Sequence, residues 1–147
     1  MFLVSRDGSR LVAVVRGRSG DQLMVSRLRR NDQGAIVSAT RARRISWEGE
    51  GALQVRDIAW TSPTSIAVLH RVASQISEVR TISVDGSPSG ADDLLTQLSG
   101  PVRSLAGSPV PGEGLYAVTG AVLDDLSRGD TGDVAFDPSI RQLAYVG

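Results

Sequence analysis

VRDIAWTSPTSIAVLH, Val55 to His70, holds two short apolar runs separated by a Thr-Ser-Pro turn cluster. Its first five residues, Val55-Arg56-Asp57-Ile58-Ala59, return 47 residues later as Val102-Arg103-Ser104-Leu105-Ala106. A turn cluster follows each copy (Thr61-Ser62-Pro63, then Gly107-Ser108-Pro109), and a second apolar run follows each turn. Upstream, Leu3-Val4, the turn Asp7-Gly8 and Leu11 to Val15 fit the same template. Leu11 lies 55 residues before Ile66, and Ile66 lies 49 before Leu115, so the period varies with loop length.

Between these landmarks the chain reads as strand almost throughout, with Val, Ile, Leu and Ala runs bounded by Gly, Ser, Asp and Pro clusters. The expected strands are Arg10 to Val15, Gln22 to Arg29, Ala35 to Thr40, Val55 to Trp60 and Ser65 to His70. Glu78 to Val84, Val102 to Ala106, Leu115 to Thr119, Gly132 to Phe136 and Gln142 to Val146 follow. Asp7-Gly8 and Asp85-Gly86 carry residues that reach positive φ cheaply, as tight turns require. Only Ala91 to Leu98 has a short helical pattern, and an edge strand or loop fits it equally well.

A repeat of roughly 40 to 50 residues with four strands per unit is the pattern of a β-propeller blade. The predicted fold is therefore all-β: a partial β-propeller of roughly three blades, each a four-stranded antiparallel sheet. Residues 1–147 form a single region, and the competing architecture is a β-sandwich. Closed propellers have about four to eight blades, so the chain is expected to be a fragment that begins inside an inner strand. Its end blades would then each expose an apolar flank, and pairing with a second copy is the expected cover.

Composition excludes more than it assigns. The chain has 147 residues, 41% of them hydrophobic, with a mean hydropathy of −0.03. That suits a globular domain with a buried core. No apolar run approaches the roughly 18 residues of a membrane helix, and the N-terminus lacks the basic start and apolar core of a signal peptide. The piece is thus either cytoplasmic or cut from an exported protein. With no cysteine, disulfides, thiolate metal sites and a lipidated cysteine are excluded within it. All 16 cations are Arg, and net charge runs from +5 over residues 1–50 to −2 and −3 over the next two stretches. Codon usage in a GC-rich genome accounts for Arg without Lys. Bidentate recognition by Arg is the sharper explanation.

No constellation reads as catalytic, cofactor-binding or metal-binding. His70 is the lone histidine, and a strand-end histidine is expected to pack rather than serve as a base. Asp124, Asp125, Asp130 and Asp133 match no calcium-loop spacing and read as solvated turn acids. Gly107 to Gly114, GSPVPGEG, lacks the lysine and following helix of a phosphate loop. Arg27, Arg29 and Arg30, with Arg41, Arg43 and Arg44 on or after the next strand, are expected to gather by antiparallel pairing on a solvated outer edge. No aromatic interleaves them between Phe2 and Trp47, which argues against nucleic acid. Trp47 and Trp60 read as packing residues. A propeller-class hydrolase would need paired carboxylates, and Asp57 with Asp137 is the pair to test.

SRDGSRLVAVV, VRDIAWTSPTSIAVLHR, ISVDG and the closing LAYVG together resemble the C-terminal β-propeller domain of the LpqB lipoproteins of actinobacteria. The resemblance rests on a V-x-D-x-x-W inner strand (Val55, Asp57, Trp60) and a V-D-G turn (Val84, Asp85, Gly86). Val146 departs from it by standing where the family's closing Tyr-Pro-Gly has proline. The resemblance implies an extracytoplasmic protein held at the cell membrane by a lipid anchor, with a GerMN-type domain upstream. It implies a non-enzymatic role without cofactors, as an accessory of the MtrA–MtrB two-component system that contacts the extracytoplasmic part of the sensor kinase. It carries over no partner-contact residues.

Overall fold

The computed structural model describes residues 1–47, 54–85, 93–100, 102–107, 114–119, 122–125 and 130–135. They form antiparallel strands gathered into three sheets, each built from consecutive strands, as the 47-residue repeat predicts. The first blade contains β1 (Phe2–Val4), β2 (Arg10–Gly17), β3 (Gly20–Arg30), β4 (Ile36–Ala39) and β5 (Arg43–Ile45). The second contains β6 (Gln54–Ser62), β7 (Ser65–Ala73), β8 (Ile76–Ser83) and β9 (Asp93–Ser99). β10 (Val102–Gly107), β11 (Leu115–Thr119), β12 (Val122–Asp125) and β13 (Asp130–Ala135) form the third.

The repeat is exact at the level of register. Ile58 stands opposite Val68 in the second blade, and Leu105 opposite Ala117 in the third. Both inner strands bulge at the same place, between Val55 and Asp57 and between Val102 and Ser104. A bulge leaves one extra residue unpaired and shifts the inward–outward alternation by one. Val55 and Ile58, an odd distance apart, therefore reach the same side of the sheet.

Two seams between the sheets carry the core. Val12, Val14, Leu23, Val25, Ile45 and Trp47 of the first blade pack against Val55, Ile58, Trp60, Ile66, Val68, Ile82 and Val84 of the second. The next seam joins Ala59, Ala67, Leu69 and Val79 to Leu105, Leu115 and Ala117. β7 makes the logic plain: Ile66 and Val68 enter the first seam, and Ala67 and Leu69 the second. A strand buried on both faces needs an unbroken apolar run, and Ile66-Ala67-Val68-Leu69 supplies it. Ile58 and Leu105 each face the preceding blade. Gly107 ends β10 against the Trp60 carbonyl, where an added Cβ would collide with backbone.

One local feature differs from the strand-by-strand expectation, in the first blade, and an alternative left open is decided in the second. Ala35 to Thr40 was expected to be one outer strand, but the outer position of the first blade is broken into two. The first half of β3 pairs with β5 and its second half with β4. At the break Thr40 replaces a ladder bond, its Oγ1 accepting the Arg27 amide at 2.9 Å while its own amide bonds the Arg27 carbonyl at 2.8 Å. Of the readings open for Ala91 to Leu98, a short helix, an edge strand or a loop, the structure takes the strand, Asp93–Ser99. Pairing with β8 overrides the local preference, as tertiary context commonly does. Gln142 to Val146 lies outside the described residues.

The far side of the first blade is open. Phe2 is 69% exposed, Val15 48% and Val4 36%, and they lie on the face opposite Val12 and Val14. The Asp7-Gly8 turn closing β1 to β2 is tightly specified. Gly8 sits at φ 64°, and Asp7 accepts the Ser5 and Ser9 hydroxyls and the Ser9 amide. Those hydrogen bonds, from Ser5 first, hold the Asp7 carboxyl down at about 2.

Candidate functional site

The seam between the first two blades opens at one end into a cleft of about 390 Å³ lined by Arg10, Arg27, Thr40, Arg41, Arg43 and Asp85. Its geometry follows from the β2–β3 hairpin. In that register Arg10 lies directly opposite Arg27, and both share the face of Val12 and Val25, which is turned toward the second blade. Like charges placed opposite each other destabilise a sheet, so the arrangement needs a counter-charge. Asp85, arriving from the second blade, supplies one: its Oδ1 accepts Arg10 Nε at 3.3 Å and its Oδ2 accepts Nη2 at 3.2 Å. Arg43 donates to the Val84 carbonyl at 3.0 Å. Arg27 and Arg41 are exposed, and neither guanidinium bonds a protein group among the described residues.

Sequence reasoning placed Arg27, Arg41 and Arg43 together, and the structure brings them to one site. It corrects the setting: they line a concave seam rather than a plain outer edge, and Arg10 and Asp85 join them. Arg29 pairs with Ser38 on the outer half of β3. Arg30 turns away to the Gly8 and Gly34 carbonyls, and Arg44 is in register with Met24.

Asp57 has a structural task. Its Oδ1 accepts the Ile58 amide at 2.9 Å, and its Oδ2 accepts the Ser104 hydroxyl at 2.8 Å and the Leu105 amide at 2.9 Å. The carboxylate thus ties the inner strand of the second blade to that of the third. A parallel tie joins the first two blades, where Asp21 Oδ2 accepts the Val55 amide at 2.9 Å. Asp137, its intended partner, lies outside the described residues.

His70 is 1% exposed and meets Trp47 edge-on, with ring centroids 5.1 Å apart. Its Nε2 lies 3.5 Å from Glu78, which also takes charge-assisted bonds from Arg80 and a bond from Gln97. Burial pushes the imidazole below its usual range, against the opposing pull of Glu78. For Glu78, burial alone would raise the carboxyl, but the bonds from Gln97 and Arg80 and the Arg80 charge hold it low. Trp47 and Trp60 are both buried in the first seam.

The acidic tract departs from the expected turn. Asp124 and Asp125 lie on β12, while Asp130 and Asp133 lie on β13, with Asp125 opposite Asp130. No cluster of three or more metal-ligating side chains occurs among the described residues. Of the GSPVPGEG stretch only Gly107 and Gly114 are described, and no described helix is long and apolar enough to cross a membrane.

Comparison with curated proteins and with solved structures gave no match. A family model described as the lipoprotein LpqB beta-propeller domain matches residues 1–129. The match takes in the first two blades, both bulged inner strands and the arginine cleft, and ends just before β13. With three side-by-side antiparallel sheets of consecutive strands beneath it, the chain belongs to the LpqB lipoprotein β-propeller domain family.

Proposed function

We propose that the chain is a non-enzymatic protein-binding module of an envelope lipoprotein, accessory to the MtrA–MtrB two-component system. In this reading it contacts the extracytoplasmic part of the sensor kinase, and an anchor upstream holds it at the membrane. The observation that carries the binding role is the cleft itself. A rigid scaffold of stacked sheets presents exposed arginines at a seam, where recognition groups on loops and strand ends concentrate. The alternative, a hydrolase with paired carboxylates, rests on Asp57 and Asp137. The hydrogen bonds of Asp57 across two blades favour the binding reading.

The test is direct binding of the purified chain to the immobilised extracytoplasmic part of the kinase. Saturable binding with a Kd of roughly 10 μM or tighter is expected for a specific contact. No saturation up to about 100 μM would reject the proposed partner. Double substitution of Asp57 and Asp137 by Asn addresses the alternative: loss of a hydrolytic activity in a correctly folded variant would reverse the reading.

A further inference from the structure

We infer that the cleft between the first two blades is a docking site for an acidic peptide segment, whose side-chain carboxylates Arg27 and Arg41 receive. This rests on the protein-binding reading and names the chemistry of the segment that the cleft takes.

The argument begins with charge. Four guanidiniums line the cleft, and Asp85 is the single carboxylate among its described lining residues. Arg10 takes that carboxylate in a two-point contact, so three cations remain without an anionic partner among the described residues of the wall. Arg43 is fixed by its bond to the Val84 carbonyl, which leaves its charge in place. Among the described residues no protein group takes a side-chain donor of Arg27 or Arg41, which leaves those donors to a ligand. A concave, low-dielectric wall focuses such a field and draws in anions.

The donor set then narrows the ligand. Guanidinium forks match planar carboxylates with two parallel bonds. Thr40 stands between Arg27 and Arg41 in the wall, and because its Oγ1 accepts the Arg27 amide, its own hydroxyl hydrogen is free to donate. The described lining residues include no aromatic side chain, so they offer no platform for a nucleobase. Its apolar lining residues are Val25 and Val84, both buried, which gives an acyl chain little to cover. The cleft is also open along the seam, with Arg27, Arg41 and Arg43 all exposed. An extended segment can therefore lie across it and present successive acidic side chains.

The probe is fluorescently labelled hexaglutamate, with hexaglutamine as the neutral control, titrated with the full chain. Hexaglutamate alone should bind, and its affinity should fall steeply between about 50 and about 300 mM salt. R27Q/R41Q should weaken it at least about tenfold, because charge-assisted bonds are lost at both positions. R27K/R41K should fall in between, since it keeps the charge and loses the fork. R16Q/R18Q, at the exposed tip of the β2–β3 hairpin, should bind as the wild type does. No hexaglutamate binding, or equal losses in R27Q/R41Q and R16Q/R18Q, would overturn the inference. Displacement of the peptide by inorganic phosphate at equal concentration would overturn it in favour of a phosphate site. If R27Q/R41Q loses hexaglutamate yet binds the kinase's extracytoplasmic part unchanged, the cleft does not hold the partner. That result overturns the inference and leaves the protein-binding reading standing; a wild-type chain that takes hexaglutamate but no kinase does the reverse.

Discussion

Asp57→Ala removes one acceptor from three donors at once, and two of those donors belong to the next blade. Ser104 is 1% exposed and Leu105 3%, so water cannot readily replace the lost oxygen. A hydrogen bond to a charged acceptor contributes about 1.5–3 kcal/mol, and a buried donor deprived of its acceptor costs about 1–3 kcal/mol. The three bonds share one carboxylate and do not add fully, and removing the charge also removes its desolvation. The expected loss is therefore about 3 kcal/mol, or roughly 6–12 °C in midpoint for a chain of this size. Asp57→Asn keeps one oxygen but turns an NH2 toward a donor, and should lose about half as much. Urea melts of Asp57→Ala, Ser104→Ala and the Asp57→Ala/Ser104→Ala double mutant, read as a double-mutant cycle, give the coupling across the seam. A coupling of about 1 kcal/mol or more between Asp57 and Ser104 is expected. Asp57→Asn within about 0.5 kcal/mol of wild type would refute the role of an inter-blade tie, since changes that small mark substitutions away from buried networks.

Four further outcomes follow from the same geometry. Leu105→Ala empties a buried position in the second seam and should cost about 2–5 kcal/mol in denaturant melts; a loss below about 1 kcal/mol would mean that the third blade does not pack as described. Arg10→Gln breaks the contact with Asp85 and should destabilise by about 1 kcal/mol, whereas Arg27→Gln relieves a like-charge pair and should be neutral or slightly stabilising; the reverse order would contradict the charge reading of the cleft. The imidazole of His70 is pushed below 6.5 and the Glu78 carboxyl below 4.5. The unfolded chain thus protonates both first, and stability should fall as pH drops from about 6.5 toward 4; His70→Gln should flatten the upper part of that fall, and an unchanged profile would dissociate it from His70. Sedimentation at micromolar concentration should show self-association through the exposed face of Phe2, Val4 and Val15, and a strict monomer would reject that use of the face.

The fold was legible because its repeat is written in residues that do physical work. Ile58 and Leu105 recur since each must face the preceding blade, and Ile66 to Leu69 are apolar throughout since β7 is buried on both sides. The broken outer strand was not legible. Its cause is a single Thr40 hydroxyl replacing a ladder bond, and nothing in the local pattern of Ala35 to Ile45 announces it. The strand at Asp93–Ser99 was obscured for the opposite reason, because DDLLTQL has helical spacing and only the free edge of β8 decides the matter. Half of the arginine cleft could be read from spacing, and the rest was within reach. Once the turn at Arg18-Ser19 is taken as a two-residue hairpin loop, paired residue numbers sum to 37, and Arg10 falls opposite Arg27. The contribution of Asp85 could not be read, since it joins the site from another blade across 75 residues of chain.

The same alternation decides whether the two surfaces of the first blade compete. Along β2, Arg10, Val12 and Val14 face the second blade, while Leu11, Ala13 and Val15 face the other way. Their cross-strand partners obey the same rule: Arg27 and Val25 lie with the first set, and Ser26 and Met24 with the second. The arginine cleft and the exposed apolar face are therefore opposite sides of one sheet, fixed by one register. Side chains on the two sides cannot meet through the sheet. A second copy seated on Phe2, Val4 and Val15 leaves Arg27 and Arg41 open, and an acidic segment in the cleft leaves the apolar face bare. Slipping the β2–β3 pairing by a single residue would exchange the two sets, bringing Arg10 to the apolar side and Leu11 into the seam. The buried Val12 and Leu23, both 0% exposed, stand against that exchange. The apolar seam that stacks the blades is thus also what aims the arginines.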